Sequence, residues 1–246
     1  MKKIFNFFLI FIFILVAGWQ SDKVFRIVTE SAKIADAGDR ISYISEQFMN
    51  TPYAADTLKG SADKPEEFVV DLDGMDCTTY IEYVEALRLS AKPDSFVQNL
   101  KNVRYFGGEV SYPKRRHFFT DWVSGENNSV RDVTPELPGS VTVEKYINRK
   151  SDSSNWLNSV PNTMRMVTYV PKEKIDKELI KLLHTGDYIG VYSDKAGLDV
   201  SHVGIFIRSK SGEFFRNASS KAMKVTDYVF KDYVNEIQGI IVFRAK

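Results

Sequence analysis

Cys77 is the single cysteine in a chain of 246 residues. It stands in Asp73-Gly74-Met75-Asp76-Cys77-Thr78-Thr79-Tyr80, where a helical pattern begins. A free cysteine is usually a small buried hydrophobe, but its surroundings here argue for chemistry. Asp and Thr before a periodic apolar run mark a helix start, and a helix N-terminus favours thiolate over thiol. A cysteine nucleophile needs a base beside it and a third polar group to orient that base. Of the three histidines, His202 lies in Asp199-Val200-Ser201-His202-Val203-Gly204-Ile205-Phe206-Ile207. Its alternation predicts a strand with Val203, Ile205 and Ile207 on one face and His202, Gly204 and Phe206 on the other. The following strand carries Phe214-Phe215-Arg216-Asn217-Ala218-Ser219-Ser220. If the turn at Ser211-Gly212 pairs Arg208 with Ser211 or Glu213, Asn217 shares the face of His202, and only a one-residue slip would turn it away. Asn217 would then accept from one imidazole nitrogen while the other faces the thiol.

A second polar group, Arg116-His117-Phe118-Phe119-Thr120-Asp121-Trp122, contains two metal-ligand types but no third at a convincing spacing, so no metal or other cofactor is expected. It reads better as a substrate wall. Trp122 or Phe119 would stack on a face of the substrate and His117 or Asp121 would hydrogen-bond it, although buried packing accounts for the aromatics almost as well. His184, in the last turn of an expected helix, suits the helix dipole.

The elements that must position these groups follow from hydrophobic period. Residues 39–49 place Ile41, Ile44 and Phe48 at helical spacing before Asn50-Thr51-Pro52-Tyr53 breaks the pattern. Residues 78–89 form an amphipathic helix, with Tyr80, Val84 and Leu87 on one face. Either Asp76 caps it directly or Thr79 and Glu82 form a capping box one step later. Residues 101–170 are irregular, with Gly107-Gly108, Tyr112-Pro113 and a polar stretch over 124–140 marking turns and a long loop. Residues 171–184 read as a helix with Gly186 just past its end. Thereafter the period is two, which predicts strands at 188–192, 200–207, 213–219 and 240–243. Helices first and a strand meander last indicate an α+β domain, its antiparallel sheet packed against the cysteine-bearing helix.

The N-terminus, Met1-Lys2-Lys3 followed by an apolar run to Gly18, reads as a signal peptide over residues 1–18. That run is shorter than the roughly 20 residues of a spanning helix, which leaves an uncleaved inner-membrane anchor as the alternative. The remainder, residues 22–246, is expected to be one exported, periplasmic domain with no stable membrane partner after cleavage. A formal net charge of +1 gives no polyanion surface, so no nucleic-acid partner is expected. A lone cysteine excludes an internal disulfide, and a monomer is expected.

Pro52-Tyr53 ahead of the cysteine, Met75-Asp76-Cys77-Thr78-Thr79, Ser201-His202-Val203-Gly204-Ile205 and Asn217-Ala218-Ser219-Ser220 together resemble the NlpC-type papain-like hydrolases of bacterial cell walls. Leu72-Asp73-Gly74-Met75-Asp76-Cys77-Thr78-Thr79-Tyr80, Arg116-His117-Phe118-Phe119-Thr120-Asp121-Trp122 and Gly197-Leu198-Asp199-Val200-Ser201-His202-Val203-Gly204 are more similar still to one branch. That branch, long known only as a bacterial domain of unknown function, is described as N-acetylmuramoyl-L-alanine amidase-like. The resemblance spans residues 39–244.

It implies a papain-like NlpC-type fold with the nucleophile at the N-terminus of a helix packed on the sheet. It further implies Cys77 as nucleophile, His202 as base and Asn217 as orienter, with Tyr53 close to the substrate. The motif positions Asp76, Thr78, Asp199 and Ser201 join His117, Asp121 and Trp122 as substrate-binding candidates. The implied reaction is cleavage of the amide between a muramic acid lactyl group and L-alanine in small muropeptides or peptidoglycan fragments, notably those ending in anhydro-N-acetylmuramic acid. Two departures stand out: many members of the branch have His where this chain has Asn217, and the Ser-Gly that follows the cysteine in the wider superfamily is Thr78-Thr79. The alternatives are a D-glutamyl-diamino acid endopeptidase of the same superfamily and a catalytically silent muropeptide-binding protein. An acyltransferase would carry its histidine before its cysteine.

Overall fold

A computed structural model describes residues 21–125 and 128–246; the signal-peptide reading of 1–18 lies outside them. The first described helix, over residues 21–31 (α1), buries Val24, Ile27 and Val28. Helix α2, Ala37–Glu46, starts where the Asp36 carboxylate accepts from Asp39 N at 2.9 Å, and it buries Ile41 and Ile44 as their spacing predicts. Helix α3, Cys77–Leu89, is buried from Thr79 through Leu87 and forms the central helix of the domain. Helix α4, Phe96–Arg104, follows a turn at Pro93 and ends inside the stretch expected to be irregular from residue 101.

Strands β1, Lys59–Ser61, and β2, Lys64–Glu67, form a small separate hairpin. Among the described residues the main sheet has eight strands: β3 (Val130–Asp132), β4 (Val141–Ile147), β5 (Thr163–Pro171), β6 (Tyr188–Tyr192), β7 (Val200–Ser209), β8 (Gly212–Ser219), β9 (Lys224–Val229) and β10 (Gly239–Ala245). Their order is β4-β5-β10-β6-β7-β8-β9, with β3 also on β10, and every pairing between them is antiparallel. Mixed helix and antiparallel sheet is therefore the fold class.

Alternation along β7 sorts the core. Val203, Ile205 and Ile207 join the cluster that contains α1, α2 and α3. Phe206 joins a second cluster, with Phe215, helix α5 (Lys177–Leu182) and helix α6 (Phe230–Asn235). The hairpin pairs Arg208 with Glu213 and Ile205 with Arg216, which is the register that puts His202 and Asn217 on one face.

Two expectations fail. The helix over 171–184 shrinks to α5, because Pro171 still belongs to β5 and the Asp176 side chain, accepting from Leu179 N at 2.9 Å, caps the chain there. His184 consequently lies beyond α5, its amide donating to Asp187, and the dipole reading lapses. The irregular stretch contains β4 and β5, an arm whose outer face exposes Tyr146, Met164 and Met166 while Lys145 is buried. That inside-out pattern hides a strand from any search for apolar alternation.

Candidate active site

Cys77 is the first residue of α3. The Asp76 carboxylate accepts from Thr79 N and from Thr79 Oγ1, both at 2.8 Å, and the Thr79 hydroxyl accepts from Asp76 N at 3.0 Å. Asp76 is thus the cap and Thr79 its reciprocal partner, an arrangement worth ~1 kcal/mol. Glu82 has no part in it, being buried and paired with Arg104 at 2.7 Å. The capping Oδ1 of Asp76, expected to meet substrate, is committed to the helix start instead.

The helix start does not make Cys77 a resting thiolate. Burial and then the Asp76 charge push the thiol up to about 11, against opposing hydrogen bonds from the Val203 backbone, the Thr78 side chain and its own amide. Desolvating a buried anion outweighs the half-charge of a helix terminus. The contact with Val203 brings the sulfur to the residue next to His202. Cys77 packs on the α3 side of the sheet, and His202 lies on the α6 side. Both line one cleft of about 140 Å³.

His202 is held below the usual histidine range by burial, which the Asn217 hydrogen bond and the Asp76 charge oppose. Its Nε2 lies 2.9 Å from Asn217 Oδ1, and Asn217 Nδ2 donates to Phe215 O at 3.3 Å, which fixes the amide orientation. With Oδ1 as acceptor, Nε2 carries the proton and Nδ1 is left as the basic nitrogen. The ring also stands edge-on to Phe215, centroids 6.0 Å apart. Gly204 makes that possible, since a Cβ there would lie 2.6 Å from the Phe215 ring.

Tyr53 pairs with Met75 in a short parallel bridge, with Ala54 N donating to Met75 O at 3.1 Å and Met75 N to Pro52 O at 3.2 Å. This lays Tyr53 alongside the cysteine segment. Its hydroxyl is pushed up by burial first and by Cys77 next.

The expected wall divides. Thr78 and His117 line the cleft, and His117 Nε2 donates to Tyr112 O at 2.8 Å. Ser201 lines it from an exposed position. Trp122 reaches the cleft but is only 6% exposed, its ring edge-on to Tyr188 at 5.2 Å, and Phe119 is stacked on Phe243 at 4.2 Å. These rings form a packed floor rather than an open sugar platform. Asp121 leaves the site: it is buried, accepts from Phe118 N at 2.9 Å and pairs with Arg165 at 2.5 Å. Asp199, 1% exposed, accepts from Thr120 N at 2.7 Å and from its own neighbour Val200 N at 2.8 Å. It ties the wall segment to the start of β7, and burial raises its pKa.

Two residues of the β4–β5 arm that sequence reasoning passed over complete this frame. The buried Lys145 ammonium donates to the carbonyls of Ser193, Lys195 (3.1 Å) and Leu198 (2.7 Å), gripping the loop that leads into His202. Arg165 donates to Thr120 Oγ1 at 2.6 Å as well as to Asp121. The one signal for Lys145 was a lysine on the inward face of Val143, Lys145 and Ile147. Gly197, at φ +83, gives the same loop its turn beneath Trp156, whose Nε1 donates to Ala196 O at 2.9 Å.

Comparison with known proteins gives an amidase-like family and amidase-like structural neighbours. A family model described as AmiA-like, N-acetylmuramoyl-L-alanine amidase-like, matches residues 43–240. A crystal structure of an N-acetylmuramoyl-L-alanine amidase from Bacteroides uniformis ATCC 8492 is 27% identical, with a TM-score of 0.70 over 85% of this chain and 99% of that one. A second structure with that description is 28% identical, with a TM-score of 0.71 and the same coverage. Protein LPG0564 from Legionella pneumophila, 23% identical over 94% of this chain and 96% of that one, has a TM-score of 0.76 and shares the fold. No curated protein sequence matches the chain.

Proposed function

This chain belongs to the N-acetylmuramoyl-L-alanine amidase-like family, and from that premise we propose that it is a cysteine amidase that releases the stem peptide from small muropeptides. The observation that carries the reading is Cys77 and His202 on one cleft, with His202 Nε2 bonded to Asn217. The order of the three residues and a nucleophile at the start of a helix packed on an antiparallel sheet support an NlpC-type, papain-like assignment.

The resting pair is a neutral thiol and a neutral imidazole, so the proton must move as the bond forms. Nδ1 of His202 takes the thiol proton while Sγ attacks the lactyl carbonyl, and Asn217 holds the ring in the required tautomer. The Cys77 amide, at the first position of α3 where no helical carbonyl takes it, turns from the thiol to the developing oxyanion, a role worth about 3 kcal/mol. Collapse of the tetrahedral intermediate expels the L-alanine amine, which takes its proton from His202. Water, activated by the same imidazole, then hydrolyses the thioester.

Glycoside cleavage fits poorly. It needs two carboxylates flanking the bond, and among the described residues Asp199 is the one carboxylate on the cleft, already bonded to two backbone amides. The enzyme is further read as an exported monomer whose small cleft suits soluble fragments, including those with an anhydro end, better than intact wall. Incubation with a defined disaccharide-tetrapeptide, read by mass, tests this. Free tetrapeptide supports the amidase, whereas a disaccharide-dipeptide product replaces it with the D-glutamyl-diamino acid endopeptidase.

A further inference from the structure

The cleft that holds Cys77 is too small for a whole muropeptide, but it does not end at His202. A second cavity, of about 610 Å³, opens from Ser201 and His202 and runs past Asn217 toward α6. That size lies within the usual range for ligand sites, roughly 300–1,000 Å³. In the proposed reaction the departing amine takes its proton from His202, so whatever is attached to that amine must continue on the His202 side.

The lining has its own chemistry. Tyr233 packs on Phe215 with centroids 4.4 Å apart and lies 5.8 Å from Tyr228, giving the groove an aromatic bed. Burial chiefly, then Cys77, Tyr228 and Glu236, raises the Tyr233 hydroxyl above its ordinary range. Asp232 on α6 and Glu236 at its C-cap are four residues apart and share a face. Both are exposed, and neither forms an ion pair among the described residues. Asp227, by contrast, is already held by Arg216 at 2.8 Å. Lys221, in the turn after β8, adds an exposed cation to the same lining.

We propose that this groove is the leaving-group subsite, and that it selects a stem peptide bearing a side-chain ammonium. Asp232 and Glu236 meet the ammonium of a diamino acid, Lys221 meets the free carboxylate of the γ-linked glutamate, and Tyr233 carries the backbone between them. The assignment rests on the amidase reading, because that reading fixes which side of the scissile bond passes His202.

Calorimetry on the Cys77→Ala chain tests the groove without turnover, using the free tripeptide L-Ala-γ-D-Glu-diamino acid as probe. The tripeptide is expected to bind. Its affinity should fall about tenfold when its side-chain amine is acetylated, and by a similar factor in the Asp232→Asn/Glu236→Gln variant, as expected for a lost charge-assisted contact. Equal affinity for free and acetylated peptide, or no binding at all, overturns the proposal. With Cys77 present, the kcat/KM ratio of the tripeptide to the dipeptide muramoyl substrate should fall about tenfold in the same double variant; an unchanged ratio also overturns it. Failure to release peptide from either substrate would defeat the amidase reading separately, while the calorimetry still decides the groove.

Discussion

The two halves of the site are held by different physics. Cys77, His202 and Asn217 sit on the start of α3, on β7 and on β8, where backbone hydrogen bonds and strand register set their positions. The opposite wall, residues 116–122 with the loop at 193–199, has little regular structure and is held by buried and half-buried side chains: Lys145 on three carbonyls, Arg165 on Thr120 and Asp121, and Asp199 on Thr120. The first half can lose a side chain and keep its shape. The second cannot, because each clamp removed leaves buried polar groups without partners.

That contrast can be broken at several points. Cys77→Ala should lower stem-peptide release by about 10⁴-fold or more and leave the urea midpoint nearly unchanged. A variant that unfolds would show the α3 start to be structural after all. Lys145→Met should do the reverse, costing about 3 kcal/mol in urea denaturation and reducing kcat by way of stability and loop position. Thr142→Ala, on the exposed face of the same arm, should cost less than about 0.5 kcal/mol. If the two arm variants cost the same, the clamp is not what holds the loop.

The first half was readable in the sequence because its causes are local. Helical period and an Asp before the cysteine define α3, alternation puts His202 and Phe206 together, and a Ser-Gly turn sets the register that brings in Asn217. The second half was not. Asp121 and Trp122 have the residue types of a sugar site, but whether a carboxylate meets solvent or caps a backbone turn depends on packing against an arm some forty residues further along the chain. Lys145 inside and Met164 and Met166 outside invert the pattern by which strands are recognised. The thiol was legible only in part for the same reason: a helix start is visible in the sequence, whereas the desolvation that opposes it is not.

Smaller effects sharpen the picture within the first half. Asn217→Ala should lower kcat by about thirtyfold as the imidazole loses its orienting partner. Asn217→His, which keeps an acceptor, should recover most of that loss. Asp76→Asn keeps an N-cap acceptor but removes a charge, so the onset of iodoacetamide labelling at Cys77 should move down from about 11. The Asp76 charge supports the protonated imidazole, and its loss should lower the His202 pKa further. A neutral imidazole is required as base, so kcat/KM should fall as pH drops through the depressed His202 pKa, below the ordinary value of about 6.5. In Asp76→Asn that acid limb should lie lower still.

Catalysis by Cys77 requires a thioester between its sulfur and the muramoyl lactyl group. Rapid acid quench of a turnover mixture, followed by mass analysis of the peptide that contains Cys77, tests it most directly. The expected product is a Cys77 adduct carrying the muramoyl acyl group and no amino acid. An adduct that retains L-alanine and D-glutamate, or stem-peptide release with Cys77 never modified, would contradict it.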